Sequence, residues 1–146
     1  MPSNGQSAVG QPTSPNKSKN RGDNHSDVAT AHMGIASVCQ NLGKHQKALE
    51  HYQQALTISK NRFGDNHSDV ATAHMGIASV YQNQGKDSEA LEHYQQALTI
   101  SKNRFGDNHP DVATILMGIA SVCQNLGKHQ EALEYYQQAL LISKNC

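Results

Sequence analysis

Residues 64–105 read GDNHSDVATAHMGIASVYQNQGKDSEALEHYQQALTISKNRF; nearly the same segment stands just before, at 22–63, and just after, at 106–146. The first two copies differ at five positions: Cys39 against Tyr81, Leu42 against Gln84, His45 against Asp87, Gln46 against Ser88 and Lys47 against Glu89. A tandem period of 42 residues marks a stacked, quasi-one-dimensional architecture in which each unit covers the apolar face of the next.

Within one copy the apolar positions fall at helical spacing. Gly22-Asp23-Asn24-His25 is a turn cluster. Ser26-Asp27, replaced by Pro110-Asp111 in the third copy, then opens a helix expected over 27–40. Proline fits the first helical position, and an aspartate there complements the helix dipole. Val28, Ala31 with His32, Ile35, Val38 with Cys39, and Leu42 form its predicted apolar stripe. Gly34 sits inside the helix at a cost of about 1 kcal/mol against alanine, and every copy keeps it, so a close helix approach or a groove floor is expected there. Gly43 in Asn41-Leu42-Gly43-Lys44 is placed to end the helix in a left-handed cap. A link this short turns the chain back on itself. The second helix, expected over 45–62, carries Ala48, Leu49, Tyr52, Ala55, Leu56 and Ser59 on one face. The fold class is all-α, built from antiparallel helical hairpins. One hairpin buries too little to offset its chain entropy, and three is about the minimum for a stable array.

The flanks carry their own information. Residues 1–21 are rich in Ser, Pro, Asn, Gln and Gly and are expected to be disordered. That tail ends in Ser18-Lys19-Asn20-Arg21, a remnant of the Ser59-Lys60-Asn61-Arg62 that precedes Phe63-Gly64, so the sequence reads as a fragment of a longer array. The missing Phe creates an Arg21-Gly22-Asp23 tripeptide at a repeat junction. At the other end, Leu140-Leu141-Ile142 is followed by no polar capping helix. Self-association through this uncapped third repeat, or coverage by a further repeat, is expected.

Composition excludes several classes. The chain has 12 basic and 12 acidic residues and is not marked as a nucleic-acid or membrane-surface binder. No apolar run approaches the roughly 18 residues of a membrane span, and residues 1–10 do not form a secretory signal. A cytoplasmic location is expected, which makes the sequons at Asn24 and Asn66 products of the repeat. Cys39 and Cys123 share one slot two repeats apart. Helices pack roughly 8–10 Å apart, so these two should exceed the roughly 7 Å Cα limit for a disulfide. Cys146 is expected to be a free thiol.

The hairpin resembles the tetratricopeptide repeat, with Ile35, Ala36, Gly43, Ala48, Tyr52 and Ala55 in the family's slots. The equivalents are Ile77, Ala78, Gly85, Ala90, Tyr94 and Ala97, then Ile119, Ala120, Gly127, Ala132, Tyr136 and Ala139. The large helix-one slot holds His32, His74 and Leu116; the later aromatic slot holds Cys39, Tyr81 and Cys123. The common unit has about 34 residues. The longer second helix and the Gly106-Asp107-Asn108-His109-Pro110-Asp111-Val112-Ala113-Thr114 linker look like the kinesin light chain type. The resemblance implies a right-handed superhelical solenoid and a non-catalytic protein-binding module, an adaptor or scaffold. The alternative is a cargo-binding segment of a kinesin light chain-like motor adaptor. By analogy with the family, the first helices line a peptide groove through Thr30, Met33, Gly34, Ser37, Gln40 and Asn41. The corresponding residues are Thr72, Met75, Gly76, Ser79, Gln82 and Asn83, and Thr114, Met117, Gly118, Ser121, Gln124 and Asn125. The asparagine pair usual in the light chain pattern is Met33-Gly34 here, so a ligand is expected to bind by shape and apolar contact, unless the methionines only pack against a neighbouring repeat.

No catalytic constellation is legible. Nine histidines invite a metal reading, but zinc needs three or four converging ligands, and the third copy replaces the equivalents of His74 and His93 with Leu116 and Tyr135. Acids fall at helix starts (Asp27, Asp69, Asp111) or beside lysines (Glu50, Glu92, Glu134), and no phosphate-cradling glycine loop is present. No cofactor or metal is expected; the partners expected are other proteins or peptides.

Overall fold

The computed structural model describes residues 26–145. The tail at 1–21, the Arg21-Gly22-Asp23 tripeptide and Cys146 lie outside the described residues. The described chain forms six helices: α1 (Ser26–Asn41), α2 (His45–Phe63), α3 (Ser68–Asn83), α4 (Asp87–Phe105), α5 (Pro110–Asn125) and α6 (His129–Asn145). Each pairs within its own hairpin, and the second helix of one hairpin packs against the first of the next. Contact therefore passes along the chain in sequence order, which is a solenoid.

The turn chemistry explains the hairpins. Gly43, Gly85 and Gly127 have φ of 79°, 77° and 79°, a region that costs other residues energy because Cβ meets the carbonyl. At the first turn Lys44 N–H reaches the Cys39 carbonyl at 2.8 Å and Gly43 N–H the Gln40 carbonyl at 3.0 Å. This paired closure satisfies the last carbonyls of α1. The Lys44 carbonyl then accepts from Ala48 at 3.0 Å, so one residue ends α1 and opens α2.

The linkers between hairpins end in a histidine cap. Ser68 is the first residue of α3, and the cap is His67, whose Nδ1 accepts from Asp69 N–H at 3.1 Å. His109 does the same for Asp111 at 3.1 Å, with Pro110 at the first helical position. Each imidazole stacks on the last aromatic of the preceding helix, Phe63 at 3.9 Å and Phe105 at 4.1 Å between ring centres. The histidine thus serves as both cap and staple.

The second-helix face of repeat one is buried as expected: Ala48, Leu49, Tyr52, Ala55 and Ser59 lie inside and Leu56 is half-buried. The first-helix stripe needs correcting. In α3 and α5 it is covered: Val70, Ile77 and Val80, and Val112, Ile119 and Val122, are fully buried. In α1 the counterparts Ile35 and Val38 are exposed and Val28 is half-buried, whereas Leu42 lies at the helix end, where Leu126 of repeat three is exposed too. The reason is directional. That face is covered by the preceding hairpin's second helix, and no described hairpin precedes α1. Ala36, Ala78 and Ala120 are fully buried in all three copies, because they lie against their own second helix.

Candidate functional site

The first helices present exposed threonines and, at Met33 and Met75, half-buried methionines along one side, and two equivalent cavities open there. The first lies between α1 and α3: Ala29, Thr30 and Met33 form one wall, Asp69 and Thr72 the other, and Ser59 of α2 the inner end, enclosing about 200 Å³. The second, of about 110 Å³, lies one repeat on. Ala71, Thr72 and Met75 face Asp111 and Thr114, with Ser101 of α4 and Ser68 completing it. The lining is the same chemistry twice, which follows from the repeat: an apolar methionine and alanine, hydroxyls, and one carboxylate at the opposite wall. Thr72 belongs to both cavities.

The remaining residues singled out from the sequence divide by location. Gly76 and Gly118 face tyrosines. A Cβ on Gly76 would stand 2.4 Å from the Tyr52 ring, and one on Gly118 2.6 Å from the Tyr94 ring, whereas Gly34 has nothing within 4 Å. The glycine is the seat of the preceding repeat's aromatic side chain, and only hydrogen fits there. Gln40 donates to Ser79 Oγ at 2.7 Å and accepts from the Tyr52 hydroxyl at 3.3 Å. Gln82, Ser121 and Tyr94 repeat this at 2.8 and 3.2 Å. Burial raises the pKa of both tyrosines, keeping the hydroxyls protonated as donors. These glutamines and serines therefore tie one repeat to the next. Asn41, Asn83 and Asn125 are exposed at helix ends; Ser37, Gln124 and Met117 are exposed on the terminal repeats. Met33 and Met75 line cavities and also pack on the core.

Sequence reasoning overlooked one pairing. His32 and His51 bring their Nδ1 atoms to 2.9 Å, and His74 and His93 to 3.0 Å. Each contact requires at least one neutral ring, which accepts the other's proton. Burial, reinforced by His93 and Lys60, lowers the pKa of His74 to about 4. Burial chiefly lowers that of His93 too. The signal was present in the joint replacement of both histidines by Leu116 and Tyr135 in repeat three. Among the described residues no three His, Cys, Asp or Glu side chains converge on a point that could hold a metal ion. Cys39 is half-buried and Cys123 buried, both as free thiols. Burial pushes the Cys123 thiol up, aided by Glu131, which suits a core filler better than a nucleophile. No described helix is long and apolar enough to cross a membrane.

Hairpins stacked in order, with paired helices and one exposed first-helix side, define a helical-repeat solenoid. The tetratricopeptide repeat model matches residues 27–103 and 69–145, together more than half of the chain, and the chain belongs to that family. No curated protein is significantly similar in sequence. Among solved structures, BtubC (BKLC) from P. vanneervenii superposes with a TM-score of 0.79 at 23% identity, over 86% of this chain and 50% of that one. The present chain thus spans about half the length of that relative. The TPR domain of Arabidopsis FLU gives 0.72 at 19% identity, covering 82% and 98%. A Podosopora anserina putative kinesin light chain with nearly identical TPR-like repeats gives 0.71 at 24%, covering 84% and 58%. These similarities establish the shared fold, that of kinesin light chain-type repeats included. Tetratricopeptide repeats are in general non-catalytic modules that bind proteins or peptides, which is the coarse function that family membership gives this chain.

Proposed function

We propose that this chain is an adaptor or scaffold that holds an extended peptide across the two cavities between its first helices. The observation that supports this is their equivalence: the same Thr, Met, Ser and Asp lining occurs twice, one repeat apart, with Thr72 shared between them. Neighbouring helices lie roughly 8–10 Å apart, and an extended chain advances about 3.3 Å per residue. A ligand that seats one side chain in each cavity would therefore place small apolar residues about three positions apart. Methionine gives a wall that adapts to their shape. Asp69 and Asp111, exposed at the walls, favour basic residues or backbone N–H groups between the anchors. In this reading the protein works in the cytoplasm, as its sequence leads one to expect.

The test is an array of peptides with apolar residues spaced two to five apart, with lysine or glutamate between, probed with the whole chain. Binding should peak at a spacing of three with lysine and be lost in Thr72→Arg, which fills both cavities from an exposed position. Equal binding by Thr72→Arg, or no dependence on spacing, refutes the reading.

A further inference from the structure

The two ends of the described solenoid are complementary to each other. Inside the molecule, each junction joins an outgoing face, carried by a second helix, to an incoming face carried by the next first helix. At the far end the outgoing face stands open: Tyr136 is 39% exposed against 7% for Tyr52, and Leu133 48% against 6% for Leu49. At the near end the incoming face stands open: Val38 is 58% exposed and its equivalent Val80 is 0%. The central residues of the internal contact recur in these open copies: Leu133, Tyr136, Leu140 and Gln124 on the outgoing face, Gly34, Ile35, Ser37 and Val38 on the incoming one. Gly34 is an empty seat with nothing within 4 Å, of the kind that Tyr52 and Tyr94 occupy on Gly76 and Gly118. Gln124 and Ser37 are the unused partners of the glutamine–serine bond that joins repeats at 2.7 and 2.8 Å.

A cavity marks the same place. Leu98 of repeat two packs against the core cluster of repeat three that contains Val112, Leu116 and Ile142. In repeat one the equivalent positions are Val28, His32 and Ile58, and they line an open depression of about 540 Å³. The side chain that corresponds to Leu98 in repeat three is Leu140, which is exposed. Charge favours the same direction: repeat one carries four basic and three acidic residues, repeat three two and four.

We infer that the chain assembles head to tail, α6 of one copy docking on α1 of the next as α2 docks on α3, with Tyr136 on Gly34 and Leu140 in the depression beside Val28. The two surfaces differ, so the contact is heterologous and does not close on itself; it propagates as an open filament. The junction also completes a further cavity of the kind already present twice, with Ala113, Thr114, Met117 and Ser143 from one copy and Asp27 and Thr30 from the next. The assembly stands independently of peptide binding; only the use of that added cavity rests on the proposed function.

Analytical ultracentrifugation of the full chain tests it. The weight-average mass of the wild type should rise smoothly with concentration above the 15.9 kDa of one chain. Gly34→Ala puts a Cβ where the incoming ring must lie, and Tyr136→Ala removes that ring. Both positions are exposed, so helicity by circular dichroism should be retained in both, and association should weaken by at least about tenfold. Mixing the two variants should give a 1:1 dimer that grows no further, because each supplies the face the other lacks. A wild type that stays at 15.9 kDa at the highest attainable concentration overturns the inference. So does a Gly34→Ala variant that associates like the wild type, or a mixture that remains monomeric.

Discussion

Replacing Gly76 by alanine perturbs the inter-repeat contact at one carbon atom. The new Cβ would lie 2.4, 2.6 and 2.7 Å from three ring atoms of Tyr52, well inside ordinary carbon contact at about 3.5–4.0 Å. The ring must retreat by about 1 Å, but it is buried against Ile77 and Val80 and its hydroxyl is bonded to Gln40. Overpacking of this kind costs about 1–3 kcal/mol. Alanine also gains about 1 kcal/mol over glycine in helix propensity, so the net loss in Gly76→Ala is only about 0–2 kcal/mol. Gly34→Ala supplies the control. It is the same substitution at the same point of the repeat, with nothing within 4 Å, so it should stabilise by up to about 1 kcal/mol. The propensity contribution is common to both, and the difference between the variants isolates the clash at about 1–3 kcal/mol. Urea unfolding followed by circular dichroism, at protein concentrations low enough to keep the chain monomeric, measures it. In a Tyr52→Ala background the gap between the two should close. Equal midpoints for Gly34→Ala and Gly76→Ala in the native background would refute the reasoning.

Three further outcomes are expected. His74 has a pKa lowered from 6.5 to about 4, so the unfolded chain takes up the proton first. Stability is then fully present above pH 6.5 and is lost as pH falls toward 4, by up to about 3 kcal/mol; His74→Leu with His93→Tyr, copying repeat three, should flatten the urea midpoint across that range. Gln82→Ala leaves the Tyr94 hydroxyl and Ser121 without their partner and should cost about 1–3 kcal/mol, whereas Gln124→Ala, exposed on the last repeat, should change the midpoint of the monomer little. Gly85→Ala at φ 77° should destabilise by about 1–2 kcal/mol despite alanine's propensity, and a neutral or stabilising result would show that the left-handed turn does not hold the hairpin.

Much of the hairpin is legible in the sequence alone. The period, the glycine turn at Gly43 and the face of the second helix through Ala48, Leu49, Tyr52, Ala55 and Ser59 are local properties. They depend on spacing within about twenty residues and on the restricted backbone of one turn. The candidate site was legible in part: Thr30, Met33, Thr72, Met75 and Thr114 line cavities, while Gly76, Gln82 and Ser79 serve the joint between repeats. No pattern within one copy separates those two uses.

What the sequence determined by itself is the unit: a helix, a left-handed glycine turn and a longer returning helix, repeated without change of pattern. What only the tertiary structure decided is which neighbour each unit meets. Tyr52 finds Gly76, and Gln40 finds Ser79 across 39 residues. Identical copies have identical local preferences, so the sequence cannot distinguish Ile35 from Ile77. One is exposed and the other buried because stacking is a relation between units, and the cover for a first helix comes from the hairpin before it.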